Sequence, residues 1–451
     1  MERLGLNVLH HDMNAEYPVL VKGEGVYVFD QEGKRYLDAI GGVGVVNIGH
    51  GVQEVIEAVE NQLRSLEFSY GGMADNQPQR ELASKLQQWA PPAMGETKTL
   101  FSSGGAEANE GAIKLAYQYH WEQGQPSKTK IIGRWQSYHG NSIGALSVTG
   151  RTSWRKMYSH YLLDFPHIPP PYCYRCPWGK SYPGCQIDCA QELKRAIRQE
   201  GPENVAAFFA EPVIGTSMSA VVPPPEYYPI IRDICDEYDV LLIVDEVMSG
   251  VGRIGKQWGI DHWHVAPDMI TASKGITGGY SPLGALILSE KICKAIADGS
   301  ATVMHSCTYG GNPVSCAAGL AVLNYIENND LISRASILGG KLLEQLGQAL
   351  QDTPWVGQVR GIGLFIGVEL VADKESKKPF PSHLQLTNLV QDEAFKNGLI
   401  ILGGVEGLID GVSGDHFEIL PPYVVTDEHI EFITKTVKKS ISDAVLKLPR
   451  E

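Results

Sequence analysis

Short runs of consecutive apolar residues recur through the middle of the chain, separated by longer stretches in which apolar positions return every three or four residues. Residues 130–135, 205–210, 240–244, 269–272 and 283–288 are almost continuously apolar, the pattern of strands buried on both faces. Between them, 107–121 and 226–238 carry the helical period. In the first of these, Ala112, Leu115, Ala116 and Tyr119 fall on one face. The alternation predicts an α/β fold, a large domain with a mainly parallel sheet sandwiched by helices. From about residue 324 the pattern changes. Residues 331–350 read as a helix, 361–370 as a glycine-interrupted strand, 384–397 as a helix and 427–446 as a long amphipathic helix. Near the start, residues 26–38 read as a hairpin around a polar turn containing Gly33. At 451 residues the chain exceeds what one core usually serves. The expected division is an N-terminal segment, 1–50, that joins a smaller domain, then a large domain over 51–323, then a smaller α+β domain over 324–451.

The composition, 43% apolar and 20% charged, is that of an ordinary globular protein. A net charge of −14 argues against nucleic acid or an anionic membrane as a partner, though not against a local pocket for a phosphate. Residues 1–14 show no long apolar core and no small-residue cleavage site, and no run has the length to cross a bilayer. A cytoplasmic location is therefore expected. Eight cysteines in so long a chain do not make a disulfide scaffold. Four of them crowd into the loop 167–190, as Cys173-Tyr-Arg-Cys176 and Cys185-Gln-Ile-Asp-Cys189. That spacing offers a structural four-cysteine site for zinc or an iron–sulfur cluster. The competing reading is four reduced thiols packed in an insertion.

Three segments carry chemistry. Phe101-Ser-Ser-Gly-Gly-Ala-Glu-Ala-Asn109 runs directly into a helix, so its backbone N–H groups can cradle a phosphate. A glycine-rich turn with a Ser or Gly cap would look the same. Val240-Leu-Leu-Ile-Val-Asp-Glu-Val247 is an apolar strand ending in two carboxylates, at the strand end where open α/β sheets bind ligands. Such a carboxylate can hold a pyridinium N–H; it can equally cap a helix or bind magnesium. No Walker loop accompanies it, which removes a P-loop nucleotide-binding protein from consideration. Met269-Ile-Thr-Ala-Ser-Lys-Gly275 is a strand ending in a lysine, poised to form an imine or simply solvated in a loop. Each signal alone is weak. Their order is the one that pyridoxal-phosphate chemistry requires.

These residues, with Tyr138-His-Gly140, Glu211-Pro212, Asp245-Glu-Val-Met-Ser-Gly250, Ser273-Lys-Gly-Ile-Thr277 and Thr308-Tyr-Gly-Gly-Asn-Pro313, resemble the class III aminotransferases of the fold-type I pyridoxal-phosphate enzymes, over about residues 23–438. Within the class the chain is most similar to the ω-amino-acid and amine transaminases, through Asn47-Ile-Gly-His50, Gly279-Tyr-Ser-Pro282 and Gly414-Asp-His416. The resemblance implies pyridoxal 5′-phosphate carried by Lys274, which also shuttles the proton. Asp245 would pair with the pyridine nitrogen, and Gly104, Gly105 and Ala106 would hold the phosphate. Tyr138 and Val247 would flank the ring. His139 would lie with the cofactor residues, and Glu211 near the ring hydroxyl and the substrate. Thr308 would reach the phosphate of a neighbouring subunit, making a homodimer or homotetramer.

The implied reaction is a ping-pong transfer from an amine donor to a keto acid such as pyruvate or 2-oxoglutarate. A racemase, decarboxylase or phospho-lyase on the same scaffold is the enzymatic alternative, and a non-catalytic scaffold or regulatory protein the other. The intact Lys274 and Asp245 speak against the latter. The sequence departs from the family in two places. Met248 stands where many members have a Gln-like donor. The segment 403–422, which in many members supplies an arginine for the substrate carboxylate, has none; it carries Glu406, Asp410, Asp415 and Glu418. Unless Arg80, Arg151 or Arg253 substitutes, the donor is expected to be an amine, diamine or ω-amino acid.

Overall fold

The structure, a computed structural model, describes residues 7–13, 16–404 and 407–449. Expectations resting on residues 1–6, on Asn14 and on Glu406 lie outside these.

Three short strands, β1 (Leu20–Glu24), β2 (Tyr27–Asp30) and β3 (Arg35–Asp38), form an antiparallel meander. The β2–β3 pair is the hairpin expected around Gly33, whose φ of 82° lies in the left-handed region that glycine tolerates. The central sheet follows: β4 (Lys98–Ser102), β5 (Lys130–Arg134), β6 (His167–Ile168), β7 (Val205–Ala210), β8 (Leu241–Asp245), β9 (Met269–Ala272) and β10 (Gly284–Leu288). Its order is β4-β10-β9-β8-β7-β5-β6. Strands β9 through β6 run parallel, and β10 is antiparallel to both of its neighbours.

Every residue of β7 and β8 is buried, which is why these segments read as unbroken apolar runs. Successive residues go to opposite faces. Phe208, Leu242 and Ile270 join one core with Tyr227, Tyr228 and Ile231 of the helix Tyr227–Tyr238. Phe209, Leu241 and Ile243 join another with Ala112, Leu115, Ala116 and Tyr119 of the helix Gly105–Glu122. Strand β4 has no such signature. It lies at the edge of the sheet, with Lys98 exposed and Thr99 and Leu100 only partly buried.

A third sheet contains β11 (Val356–Ile362) and β12 (Phe365–Leu370), so the segment read as one strand over 361–370 is mostly the second arm of a hairpin. The short β13 (Leu399–Ile400) leaves to pair in parallel with β3. β14 (Leu402–Gly403) and β15 (Asp415–Ile419) complete the antiparallel order β11-β12-β15-β14. The helices Leu331–Leu350, Leu386–Lys396 and Asp427–Val445 accompany this sheet. Among the described residues no helix is long and apolar enough to cross a membrane.

Candidate active site

The site forms where β8 and β9, adjacent and parallel, end side by side. Asp245 is the last residue of β8 and only 3% exposed. Its Oδ2 lies 2.8 Å from His139 Nδ1 and accepts from Asn109 Nδ2 at 2.9 Å, while Oδ1 accepts from the Val247 N–H at 3.0 Å. Asn109 is itself fixed by a 2.6 Å bond to the His139 carbonyl. The neighbouring carboxylate takes no part. Glu246 accepts from Ser249 Oγ at 2.6 Å and from the Ile260 N–H at 2.8 Å, tying down the following loop, and burial raises it to about 7. Of the two acids, one serves the site and the other is a loop cap.

Lys274 follows β9 in a backbone turn held from both sides. Ser273 Oγ donates to the Leu283 carbonyl at 2.7 Å, and Asn47 Nδ2 donates to the Gly275 carbonyl at 2.9 Å. Lys274 has a φ of 43°, a left-handed conformation that a non-glycine residue adopts only when its surroundings impose it. Its Nζ donates to the Val43 carbonyl at 3.0 Å and touches the Met248 sulfur. Burial lowers the lysine to about 8, against the opposing charges of Glu418 and Asp245. A lysine so poised has a substantial fraction of free amine near neutrality, as imine formation requires. The Val43 carbonyl is offered by an unusual run, Gly41 to Gly44, with φ of 50, 55, 68 and 72°. Asp38 holds the run by accepting the Gly42 N–H at 3.1 Å.

The helix Gly105–Glu122 begins three residues after β4, and no side chain caps its first turn. A Cβ on Gly104 would meet nothing within 4 Å, so open space faces the free N–H groups. A Cβ on Gly105 would come within 3.0 Å of Val247, which explains the need for glycine there. An uncapped helix start with open space before it suits a phosphate. Tyr138 is partly buried, its ring edge-on to Trp154 at 5.5 Å. Its N–H donates to Glu211 Oε1 at 3.2 Å. Glu211 is committed elsewhere as well: the buried Arg134 donates from Nη2 to its Oε2 at 3.3 Å and to its carbonyl at 2.6 Å. Thr308 is exposed on this chain.

Arg134, Val43 and the contact of Asn109 with Asp245 were not singled out from sequence. Asn109 sat inside a recognised motif, and His139 beside Tyr138. Nothing local marks Arg134, which lies 77 positions from its acid partner. The acids of segment 403–422 separate clearly. Asp410 accepts the N–H groups of Val412 and Ser413, and Asp415 accepts the N–H and hydroxyl of Thr387. Glu418 is fully buried with neither carboxylate oxygen hydrogen-bonded. Among the arginines considered, Arg80 is engaged with Asp75 at the surface and Arg253 donates to the Pro421 and Leu364 carbonyls. Arg151 stacks on Trp154 at 4.2 Å with its Nε unpartnered.

The metal expectation for the cysteine loop is corrected. Cys173, Cys176, Cys185 and Cys189 line one narrow pocket as free thiols. Among the described residues no group of three or more His, Cys, Asp or Glu side chains is placed to hold a metal ion. Burial pushes Cys173 up and Cys189 to about 12. Ion pairs hold the loop instead: Arg175 with Glu369 at 2.7 Å and Lys180 with Asp188 at 2.9 Å.

An uncapped helix start, a lysine of lowered basicity and a buried, oriented carboxylate, all at the ends of adjoining sheet elements, define an enzyme of the pyridoxal-phosphate type. The chain belongs to the class III aminotransferase family, whose model matches residues 10–441. It is 37% identical to the uncharacterized aminotransferase YodT of Bacillus subtilis, over 96% of each chain. It is 32% identical to the putrescine–pyruvate aminotransferase of Pseudomonas aeruginosa, covering 94% of this chain and 90% of that one. Among solved structures, the thermostable (S)-enantioselective ω-transaminase from Thermomicrobium roseum superposes with a TM-score of 0.91 at 36% identity, over 98% of both chains. The protein is thus a fold-type I aminotransferase, and pyridoxal 5′-phosphate is the cofactor its family implies.

Proposed function

We propose that the enzyme moves an amino group from an amine, diamine or ω-amino acid to a keto acid, pyruvate or 2-oxoglutarate, in two half-reactions at one site. The observation that carries this reading is the pairing of Lys274 and Asp245 at adjacent strand ends beside a segment, 403–422, that has no arginine for an α-carboxylate. The putrescine–pyruvate relative, and a diaminobutyrate–2-oxoglutarate transaminase of Halomonas elongata at 34% identity, support the same substrate range.

In this reading Lys274 holds the cofactor, and its Nζ then takes the proton from the substrate carbon. When bound, pyridoxal 5′-phosphate supplies the electron sink for that carbanion. Asp245 keeps a proton on the ring nitrogen, with His139 and Asn109 fixing the carboxylate. Gly104, Gly105 and Ala106 present N–H groups to the phosphate, Tyr138 and Val247 flank the ring, and Glu211 orients Tyr138. Thr308, exposed on this chain, reaches the phosphate of a neighbouring subunit in a homodimer or homotetramer. The large domain over 51–323 carries most of these groups, and 1–50 with 324–451 closes over them, as β3–β13 pairing and the Val43–Lys274 contact support. A cytoplasmic location belongs to the same reading.

The test is a panel of amines, ω-amino acids and α-amino acids against pyruvate and 2-oxoglutarate, with the cofactor absorbance followed in single half-reactions. Conversion of the bound cofactor to its amine form by an amine alone supports transamination over racemisation, decarboxylation or phospho-lyase chemistry. A kcat/KM that favours α-amino acids by a wide margin would contradict the donor range.

A further inference from the structure

Among the described residues four arginines are buried: Arg134, Arg151, Arg253 and Arg360. Three of them are engaged. Arg134 donates to Glu211, Arg253 to the Pro421 and Leu364 carbonyls, and Arg360 to Glu369 and the Ser219 and Met218 carbonyls. Arg151, 8% exposed, donates to no described residue. Its Nε is sealed from solvent without a partner, while Nη1 and Nη2 are not sealed. Trp154, 4.2 Å from the guanidinium carbon, and Tyr138, at 5.8 Å, cover it with their rings. Stacking uses the face of the guanidinium plane and leaves the N–H fork at its edge free. Glu418 acts on it without a hydrogen bond, and burial keeps that carboxyl protonated up to about 8. A buried cation with an unused fork calls for an anion that the protein does not supply.

Tyr138 ties this cluster to the proposed site. Its N–H bonds to Glu211, and the next residue is His139, whose Nδ1 lies 2.8 Å from Asp245 Oδ2. Tyr138, Val247, Met248 and Lys274 each keep partial exposure next to buried residues, as side chains facing an open cleft do. The arginine-free segment 403–422 comes against the residue after Arg151. A Cβ on Gly411 would lie 2.7 Å from Thr152 Oγ1, and Thr152 lines a cleft of about 400 Å³ together with Leu408, Ile409 and Asp410.

We infer that Arg151 is the specificity-determining residue for the acceptor, its N–H fork receiving the carboxylate of the keto acid whose carbonyl reacts beside Lys274. This rests on the aminotransferase reading and adds to it the group that holds the second substrate. A planar carboxylate meets the fork with two parallel hydrogen bonds and neutralises the buried guanidinium, which an ester does not. An amine donor brings no anion and leaves Arg151 as it stands in the free site.

The test compares pyruvate with methyl pyruvate, its uncharged ester, as acceptors from the amine form of the holoenzyme, in the parent and in Arg151→Gln. The ratio of kcat/KM, acid over ester, is expected to exceed about tenfold in the parent and to fall by about tenfold or more in the variant, the range of hydrogen bonds to a charged group. A second readout needs no turnover. Oxamate has the shape of pyruvate with an amide in place of the reactive ketone. In calorimetry it should bind the parent holoenzyme, and bind the variant about tenfold more weakly. A parent ratio near one, or a ratio and an oxamate affinity that the variant leaves unaltered while both acceptors slow together, assigns Arg151 to packing Tyr138 and overturns the inference. Should Arg151→Gln fail to fold, Arg151→Lys decides by the same ratio. It keeps the charge and loses the fork, and the ratio is expected to fall by about fivefold. If the parent takes no amino group from any amine while retaining its cofactor, the aminotransferase reading fails instead.

Discussion

His139 Nδ1 and Asp245 Oδ2 stand 2.8 Å apart, both buried, with Asn109 Nδ2 on the same oxygen at 2.9 Å. A carboxylate only accepts, so Nδ1 carries the hydrogen, and the aspartate is fixed in place by two donors from separate elements. The orientation of the Asp245 carboxylate is thus set by residues 136 and 106 positions away.

Asp245→Asn should lower kcat by at least about a hundredfold, because the amide cannot keep the ring nitrogen protonated. Asn109→Ala should cost about tenfold by freeing the carboxylate while leaving its charge. Steady-state kinetics with bound cofactor quantified by absorbance checks both. Equal losses in the two variants would mean that position, and not charge, is what Asp245 contributes.

Lys274 should capture the aldehyde of pyridoxal 5′-phosphate fastest as the free amine. Since burial brings it to about 8, the capture rate of cofactor-free protein should rise with pH through an inflection near 8 and level off above it. Borohydride reduction should place the pyridoxyl group on Lys274. An inflection near the ordinary lysine value of 10.5 would contradict the site described.

Glu418 gives a pH dependence of opposite sense. Burial raises it from 4.5 to about 8, so between these values the folded chain keeps a proton that the unfolded chain has released. Stability from this group is then lost progressively as pH rises from about 4.5 to about 8. Glu418→Gln removes the term. Its Tm should match the parent near pH 4.5 and exceed it at pH 8 and above. A Tm difference that does not vary with pH would count against burial of the charge.

Val43 is β-branched, 36% exposed and held at a φ of 68°. The left-handed conformation costs a non-glycine residue roughly 1–2 kcal/mol, and the entropy of an added glycine offsets part of the relief. Val43→Gly should stabilise the protein by roughly 0.5–1 kcal/mol in thermal or denaturant unfolding. The same freedom should loosen the carbonyl beside Lys274 Nζ and raise KM. A stabilised variant with unchanged KM would separate the strain from the site.

The chemistry at the sheet ends was legible because it is local. A strand that ends in Asp245 and one that ends in Lys274 announce themselves by apolar runs stopped by a charge, and the helix after Gly104 by glycines before a periodic stretch. The antiparallel β10 was not legible, because an apolar run has no direction. Strand β4 was missed since an edge strand needs no continuous apolar face. Glu418 appeared only as one acid among four. What distinguishes it, the lack of any partner, is a property of packing between β12 and β14 and has no local signature.

The contact of the Val43 carbonyl with Lys274 joins the first tenth of the chain to its middle, and the pairing of β3 with β13 joins it to the last eighth. During synthesis, Asp245 and Lys274 leave the ribosome long before Leu399, Ile400 and Glu418 do. The early segment must wait, with Leu37, buried in the finished fold, uncovered in the meantime, until its partner strand is made. Closing so long a loop is a late and entropically unfavourable event. The β3–β13 pair, which anchors the strand leading into the Gly41–Gly44 run beside Lys274, is therefore completed only after residue 400 has been made.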